Sequence, residues 1–287
     1  MEKLEDLLSF RYVLIQYLNS IDVIYPSNNR FEQSFREIEY GLKQEALGKR
    51  DYSKEAHFRH AAAELQELKF ILQNIQSLNL SQDILQEKFK KILSGDRPVN
   101  KNENNTNDVS RNILFELMLA CYLSFSGLLI KYESGSDISL KFQGRVVGIE
   151  CKRINGSLIS SIKNLLDVGY HQLIKQRHEL DCGIIALNID NVYFKNGQLV
   201  FTTDHALIKP NFYKLITTFI DRFGFLWQKR NVVKDFKFVP AVLICLRGTM
   251  YASDTNETAN VFYAVLNNTS NPPYDDLFLN QLSKVLS

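Results

Sequence analysis

Glu150-Cys151-Lys152 closes an apolar run, Arg145-Val-Val-Gly-Ile149, with the make-up of a buried β-strand. Thirteen residues upstream of Glu150, Asp137 opens a second strand-like run, Asp137-Ile-Ser-Leu-Lys-Phe142. A two-residue turn at Gln143-Gly144 sets position 142 against 145, and the same register sets Asp137 opposite Glu150. Cross-strand partners carry side chains about 5 Å apart on one face. Period-2 alternation puts Lys152 on that face, beside Glu150. Like charges opposed across a sheet destabilise it. Two carboxylates and a lysine converging at a strand end therefore need a counter-charge, and a hard divalent cation supplies one.

The chain holds two other acid-x-Lys triplets. Glu67-Leu68-Lys69 lies in a helical pattern, where residues i and i+2 point apart. Asp235-Phe236-Lys237 precedes a strand-like segment, but the nearest upstream acid, Asp221, falls in a helical pattern. Only the triplet at 150 has an acid placed to meet it across a hairpin.

Around that hairpin the elements read as a helix over 110–126, a strand over 128–133, the hairpin strands 136–142 and 145–152, a helix over about 157–179, and a strand over Cys182–Asn188. Asp137 and, thirteen positions on, Glu150-x-Lys152, in this order of elements, resemble the PD-(D/E)XK nuclease superfamily, the restriction-endonuclease-like fold. The resemblance covers roughly 110–190, and Ser136 stands where the family motif has proline. It implies an α/β (α+β) protein with a central mixed β-sheet flanked by helices. It also implies a Mg²⁺-dependent nuclease, with Mn²⁺ substituting, that hydrolyses phosphodiester bonds, foremost in DNA. By fold-level analogy it suggests a restriction or antiphage defence system.

Phosphodiester hydrolysis needs an activated water, in-line geometry and neutralised charge on the transition state, and Mg²⁺ provides all three. The resemblance assigns metal ligation to Asp137, Glu150 and the backbone carbonyl of Cys151, and it has Lys152 orient or deprotonate the water or stabilise developing charge. The resemblance also implies an acid from the first helix, for water positioning or a second metal, and Glu116, the one charge between Arg111 and Lys131, is the candidate. Buried in so apolar a helix, it must find a partner. The helix after the triplet carries Tyr170, His171, Gln172 and Gln176; the resemblance implies a polar side chain from this helix near the metal or scissile phosphate, and Gln172 is the one chosen. The RecB-like exonuclease branch uses Gln-x-x-x-Tyr there, whereas position 176 is Gln in this chain.

Composition sets the frame: 287 residues, 45% hydrophobic and 23% charged, describe a globular chain of one or two domains. Lys plus Arg number 34 against 32 Asp plus Glu, so the chain is no polycation, but residues 205–250 carry eight Lys or Arg against two Asp. That excess could face phosphates, and an ordinary solvated basic face explains it equally well. Phe212, Phe219 and Phe223 in this stretch fall at core spacing. Four cysteines at 121, 151, 182 and 245 have no zinc-ligand spacing and read as core residues of a reducing compartment. His57, His60 and Glu64 share a helix face, but not in a zincin's order. With no signal-peptide pattern at the N-terminus, and with Glu116 inside the one long apolar run (113–130), the expected location is cytoplasmic, with no membrane contact.

Residues 1–95 read as an all-helical N-terminal domain for oligomerisation or for binding substrate or partner. Leu4, Leu7, Leu8, Tyr12, Ile15 and Leu18 form one stripe, and Ala61, Leu65, Leu68, Leu72 and Ile75 a short heptad seam suited to a bundle or a homodimer contact. Residues 96–109, rich in asparagine, read as a polar linker, with Asp108 or Ser110 capping the next helix. Residues 110–287 are expected, from the resemblance, to be the nuclease-like domain. Beyond its core, Val192–Phe194 and Leu199–Thr202 read as a hairpin around Lys-Asn-Gly, Asn211–Trp227 as a helix, Val239–Leu246 and Val261–Leu266 as strands, and the tail as a short helix. No phosphate-cradling glycine loop is present, so NTP hydrolysis would fall to a partner NTPase or helicase. The rival functional readings are a nucleic-acid-binding or regulatory subunit that cuts only with a partner, and an RNA-cleaving nuclease.

Overall fold

The computed structural model describes residues 2–48, 56–95, 109–131, 136–154, 158–193, 200–201, 208–228, 232–235, 237–252, 257–269 and 277–286. Among these the fold is mixed α/β, a single mixed sheet flanked by helices. The helices are α1 (Leu4–Ser20), α2 (Arg30–Ala46), α3 (Ala56–Asn74), α4 (Gln82–Leu93), α5 (Val109–Phe125), α6 (Ile159–Lys175), α7 (Asp190–Tyr193), α8 (Ile208–Phe223) and α9 (Leu277–Leu286). The strands are β1 (Glu2–Lys3), β2 (Leu129–Lys131), β3 (Ile138–Phe142), β4 (Arg145–Arg153), β5 (Cys182–Asn188), β6 (Val200–Phe201), β7 (Ala241–Ala252) and β8 (Glu257–Asn268). They run in the order β1-β8-β7-β5-β4-β3-β2, with β6 also paired to β7.

Strand β4 is antiparallel to β3 and parallel to β5, and β5 is parallel to β7, so α6 and α8 serve as the long connections that parallel pairs require. Both faces of the sheet are covered. Val147, Ile149, Ile184 and Ala186 point into one cluster with α5 and the N-terminal helices, while Ile185, Leu187, Val242 and Ile244 point into another with α6 and α8. Double coverage makes β5 buried at every position, and its sequence, Cys182-Gly-Ile-Ile-Ala-Leu-Asn188, is correspondingly a continuous apolar run.

Helices α1 to α4 pack in the first cluster together with α5 and the sheet. Asn29 opens α2 by accepting bonds from the Phe31 and Glu32 amides, and Ser81 caps α4 through the Ile84 amide. The stripe on α1 is rotated from the expected one: Phe10 and Leu14 face inward, whereas Tyr12 is 67% exposed. Of the heptad seam, Ala61, Leu65, Leu68 and Ile75 are buried inside the chain's own core.

Two local expectations are corrected. Ser110 is not a cap; it lies within the first turn of α5, where its hydroxyl donates to the Ile92 carbonyl and accepts from Arg30. Asp108 and all of the proposed linker but Val109 lie outside the described residues. Val192 and Tyr193 belong to α7 rather than to a hairpin, and β6 pairs in parallel with β7. The reason is Asp190: its buried carboxylate accepts the Arg247 amide at 2.7 Å and the Asn188 side chain at 2.9 Å, which winds the chain back toward β7.

Candidate active site

The β3–β4 turn sets the register. Gln143 and Gly144 have φ of 51° and 78°, the double left-handed conformation of a type I′ hairpin turn, which pairs Phe142 with Arg145 and Ile138 with Ile149. The next step of that register places Asp137 beside Glu150. Here Asp137 leaves the regular ladder, and its Oδ2 accepts the Cys151 amide at 2.8 Å. In an extended strand the amide and carbonyl of one residue point to the same edge, so the Cys151 carbonyl faces this side as well.

Lys152 lies on the Glu150 face, with Nζ 2.9 Å from Glu150 Oε2 and 3.8 Å from Asp137 Oδ2. Its ammonium thus bridges the two carboxylates. The three differ in access: the Glu150 side chain is 1% exposed, Lys152 12% and Asp137 34%, so the cluster opens on its Asp137 side. Helix α6 covers the rest. Gly169 permits the close approach, since a Cβ there would lie 3.3 Å from Ile185 and 3.5 Å from Lys152 Cε.

Burial chiefly raises the Glu150 pKa, and the Asp137 charge adds to the rise; Lys152 and a long contact from Gln176 Nε2 at 3.5 Å oppose it. The Cys151 thiol is held well above its ordinary range by burial, then by the charges of Asp137 and Glu116, so it is a poor nucleophile.

Glu116, 8% exposed on α5, pairs with Lys88 of α4. Its carboxyl is pushed up to about 7, first by burial, while Lys88 lowers it and Asp137 and Glu150 raise it. A folded pKa near 7 against an ordinary 4.5 means that the folded chain holds a proton that the unfolded chain releases between those values. The associated stability is fully present below about 4.5 and is lost as pH rises through about 7. In metal-free buffer the unfolding midpoint of the wild type should therefore fall relative to Glu116→Gln across that interval. Thermal melts of both proteins check this, and a constant difference would contradict burial as the cause.

Gln172 lies on α6, and its Oε1 is buried with no hydrogen-bond partner among the described residues, as is the Oε1 of Gln176, but Gln176 is the one whose amide reaches Glu150. The two lie four apart, a spacing that places them on one helical face. That spacing was the available signal for Gln176, which sits just beyond the last turn of α6. Tyr170 is buried in the α6–α8 cluster, and His171 is exposed beside Asp167. Glu64 is held by Arg30 and Ser34. Asp235 of the rival triplet caps a turn through the Lys237 and Phe238 amides.

Of the basic residues in 205–250, Lys209, Lys214, Arg222, Lys234 and Lys237 are exposed, whereas Lys229 and Arg230 lie outside the described residues. Arg247 is no surface charge: its guanidinium pairs with Glu67 of α3 and, at 3.4 Å, with Asp190. Phe212, Phe219 and Phe223 are buried as the spacing predicts. All four cysteines are free, and no helix among the described residues is long and apolar enough to cross a membrane.

Among the described residues, no group of three or more His, Cys, Asp or Glu side chains is gathered to hold a metal ion. The donor set is two carboxylates and a backbone carbonyl, all hard oxygens. That set suits Mg²⁺, which binds through one or two carboxylates and keeps several waters. Comparisons of the chain with protein-family models, with curated proteins and with solved structures found no match.

Proposed function

We propose that this chain is a metal-dependent nuclease built on a restriction-endonuclease-like core, hydrolysing phosphodiester bonds, foremost in DNA. The observation that carries this reading is the convergence of Asp137, Glu150 and Lys152 at one end of the β3–β4 hairpin. The order of helix, three strands, helix and strand from α5 to β5 supports it.

Asp137, Glu150 and the Cys151 carbonyl would hold Mg²⁺, which when bound would activate water and neutralise charge on the phosphate. Asp137, the most exposed of the three side chains, marks the side from which a scissile phosphate approaches. Lys152 lies where an ammonium can orient an attacking water or stabilise negative charge as it develops. The Gln176 amide steadies the second oxygen of Glu150.

Digestion of duplex DNA, single-stranded DNA and structured RNA by the purified chain tests the proposal. Cleavage of duplex DNA that requires Mg²⁺ or Mn²⁺ and stops with EDTA is expected. Cleavage of RNA alone would move the substrate class, and no cleavage of any substrate would overturn the reading.

A further inference from the structure

We infer that the β2–β3 end of the sheet, beside the candidate site, is the track on which a DNA duplex backbone lies, with Lys141 and Lys131 meeting phosphates beyond the scissile one. The inference rests on the nuclease reading above and adds how its substrate is held.

Register decides which side chains share the face of Glu150. Ile130, Ile138, Leu140, Val147 and Ile149 turn into the cluster with α5. Alternation therefore turns Leu129, Lys131, Ser139 and Lys141 to the opposite face, the one that carries Glu150 and Lys152. Val146, the partner of Lys141, confirms the side, for it packs against the α6–α8 cluster. On that face α6 lies over β4 and β5, and α8 over β7 and β8. Among the described residues the β2–β3 end stays open: Lys141 is exposed, and Leu129 opposite it is 58% exposed. Asp137 stands at the near end of this strip, on the side where the acidic cluster opens.

Lys131 and Lys141 give the strip positive charge, and Asp137 is its one acid among the described residues. Lys141 lies four positions along the chain from Asp137, roughly 14 Å in extended conformation. Each strand of a DNA duplex carries a phosphate every ~3.4 Å of helix axis. A backbone whose scissile phosphate sits at Asp137 therefore still has phosphates at Lys141. Lysines often guard exposed sheet edges, but Lys141 belongs to β3, which is paired on both sides. A point charge on a flexible stem suits phosphate, and phosphate contacts position a duplex without reading its sequence.

The test is fluorescence anisotropy of an end-labelled duplex titrated with the full chain in EDTA, repeated between about 50 and 200 mM salt. Lys141→Ala is expected to reduce the slope of log affinity against log salt by about one, and Lys141→Ala with Lys131→Ala by about two. The loss should be the same on duplexes of unrelated sequence, and Lys141→Arg should bind like the wild type. Lys214, exposed on α8 away from the strip, should leave the slope unchanged when replaced by Ala. With Mg²⁺, Lys141→Ala should raise KM about eightfold near 0.1 M salt, the effect of one counterion, with kcat little changed. A wild-type slope and KM in folded Lys141→Ala, or an equal loss in Lys214→Ala, overturns the track and leaves the nuclease reading standing. A wild type that neither binds nor cuts DNA overturns both.

Discussion

Replacing Asp137 with Asn is expected to lower Mg²⁺-dependent phosphodiester cleavage by about a hundredfold or more, the consequence of losing roughly 3 kcal/mol of transition-state charge stabilisation. The fold should survive. Asp137 is about one-third exposed and makes one backbone contact, accepting the Cys151 amide at 2.8 Å. The Asn side-chain oxygen can accept the same bond, so the stability change should stay within about 1 kcal/mol. What Asn cannot supply is the anionic charge. Cleavage rates measured beside thermal melts separate the two effects, and full activity in a folded variant would remove Asp137 from the site.

Arg247→Met is expected to destabilise the protein by about 3 kcal/mol, because breaking a buried pair leaves uncompensated charge behind. The guanidinium joins Glu67 on α3 to Asp190 at the start of α7, and both acids are buried. Removing the arginine strands two carboxylates next to the end of β5. Urea unfolding measures the loss. Adding Glu67→Gln and Asp190→Asn to the same chain should restore much of it, since neutral side chains need no counter-charge. A loss below about 0.5 kcal/mol would place Arg247 among ordinary surface residues.

The site was legible in the sequence to the extent that local rules govern it. A two-residue turn fixes the sum of paired residue numbers, so Gln143-Gly144 alone aligned Asp137 with Glu150, and strand alternation added Lys152. The β5 limits, Cys182 to Asn188, were equally plain, because a strand covered on both faces is apolar throughout. What the sequence concealed depends on distant contacts. Gln176 lies just past the end of α6, and only the packing of α6 on β4 brings it to Glu150. Arg247 resembled the exposed basic residues around it until Glu67, 180 positions earlier, met it through α3. Turn propensity at Lys-Asn-Gly suggested a hairpin, yet the buried Asp190 carboxylate drew Val192 and Tyr193 into α7. Lys88 likewise gave no local sign, since its position on α4 fits an ordinary solvated face.

The most direct test incubates end-labelled duplex DNA with Mg²⁺ and either the wild type or Asp137→Asn. A metal-dependent site built on Asp137 should give product with the wild type, none once EDTA is added, and at least about a hundredfold less with the variant. Equal cleavage by the two proteins, or cleavage that persists in EDTA, would contradict it.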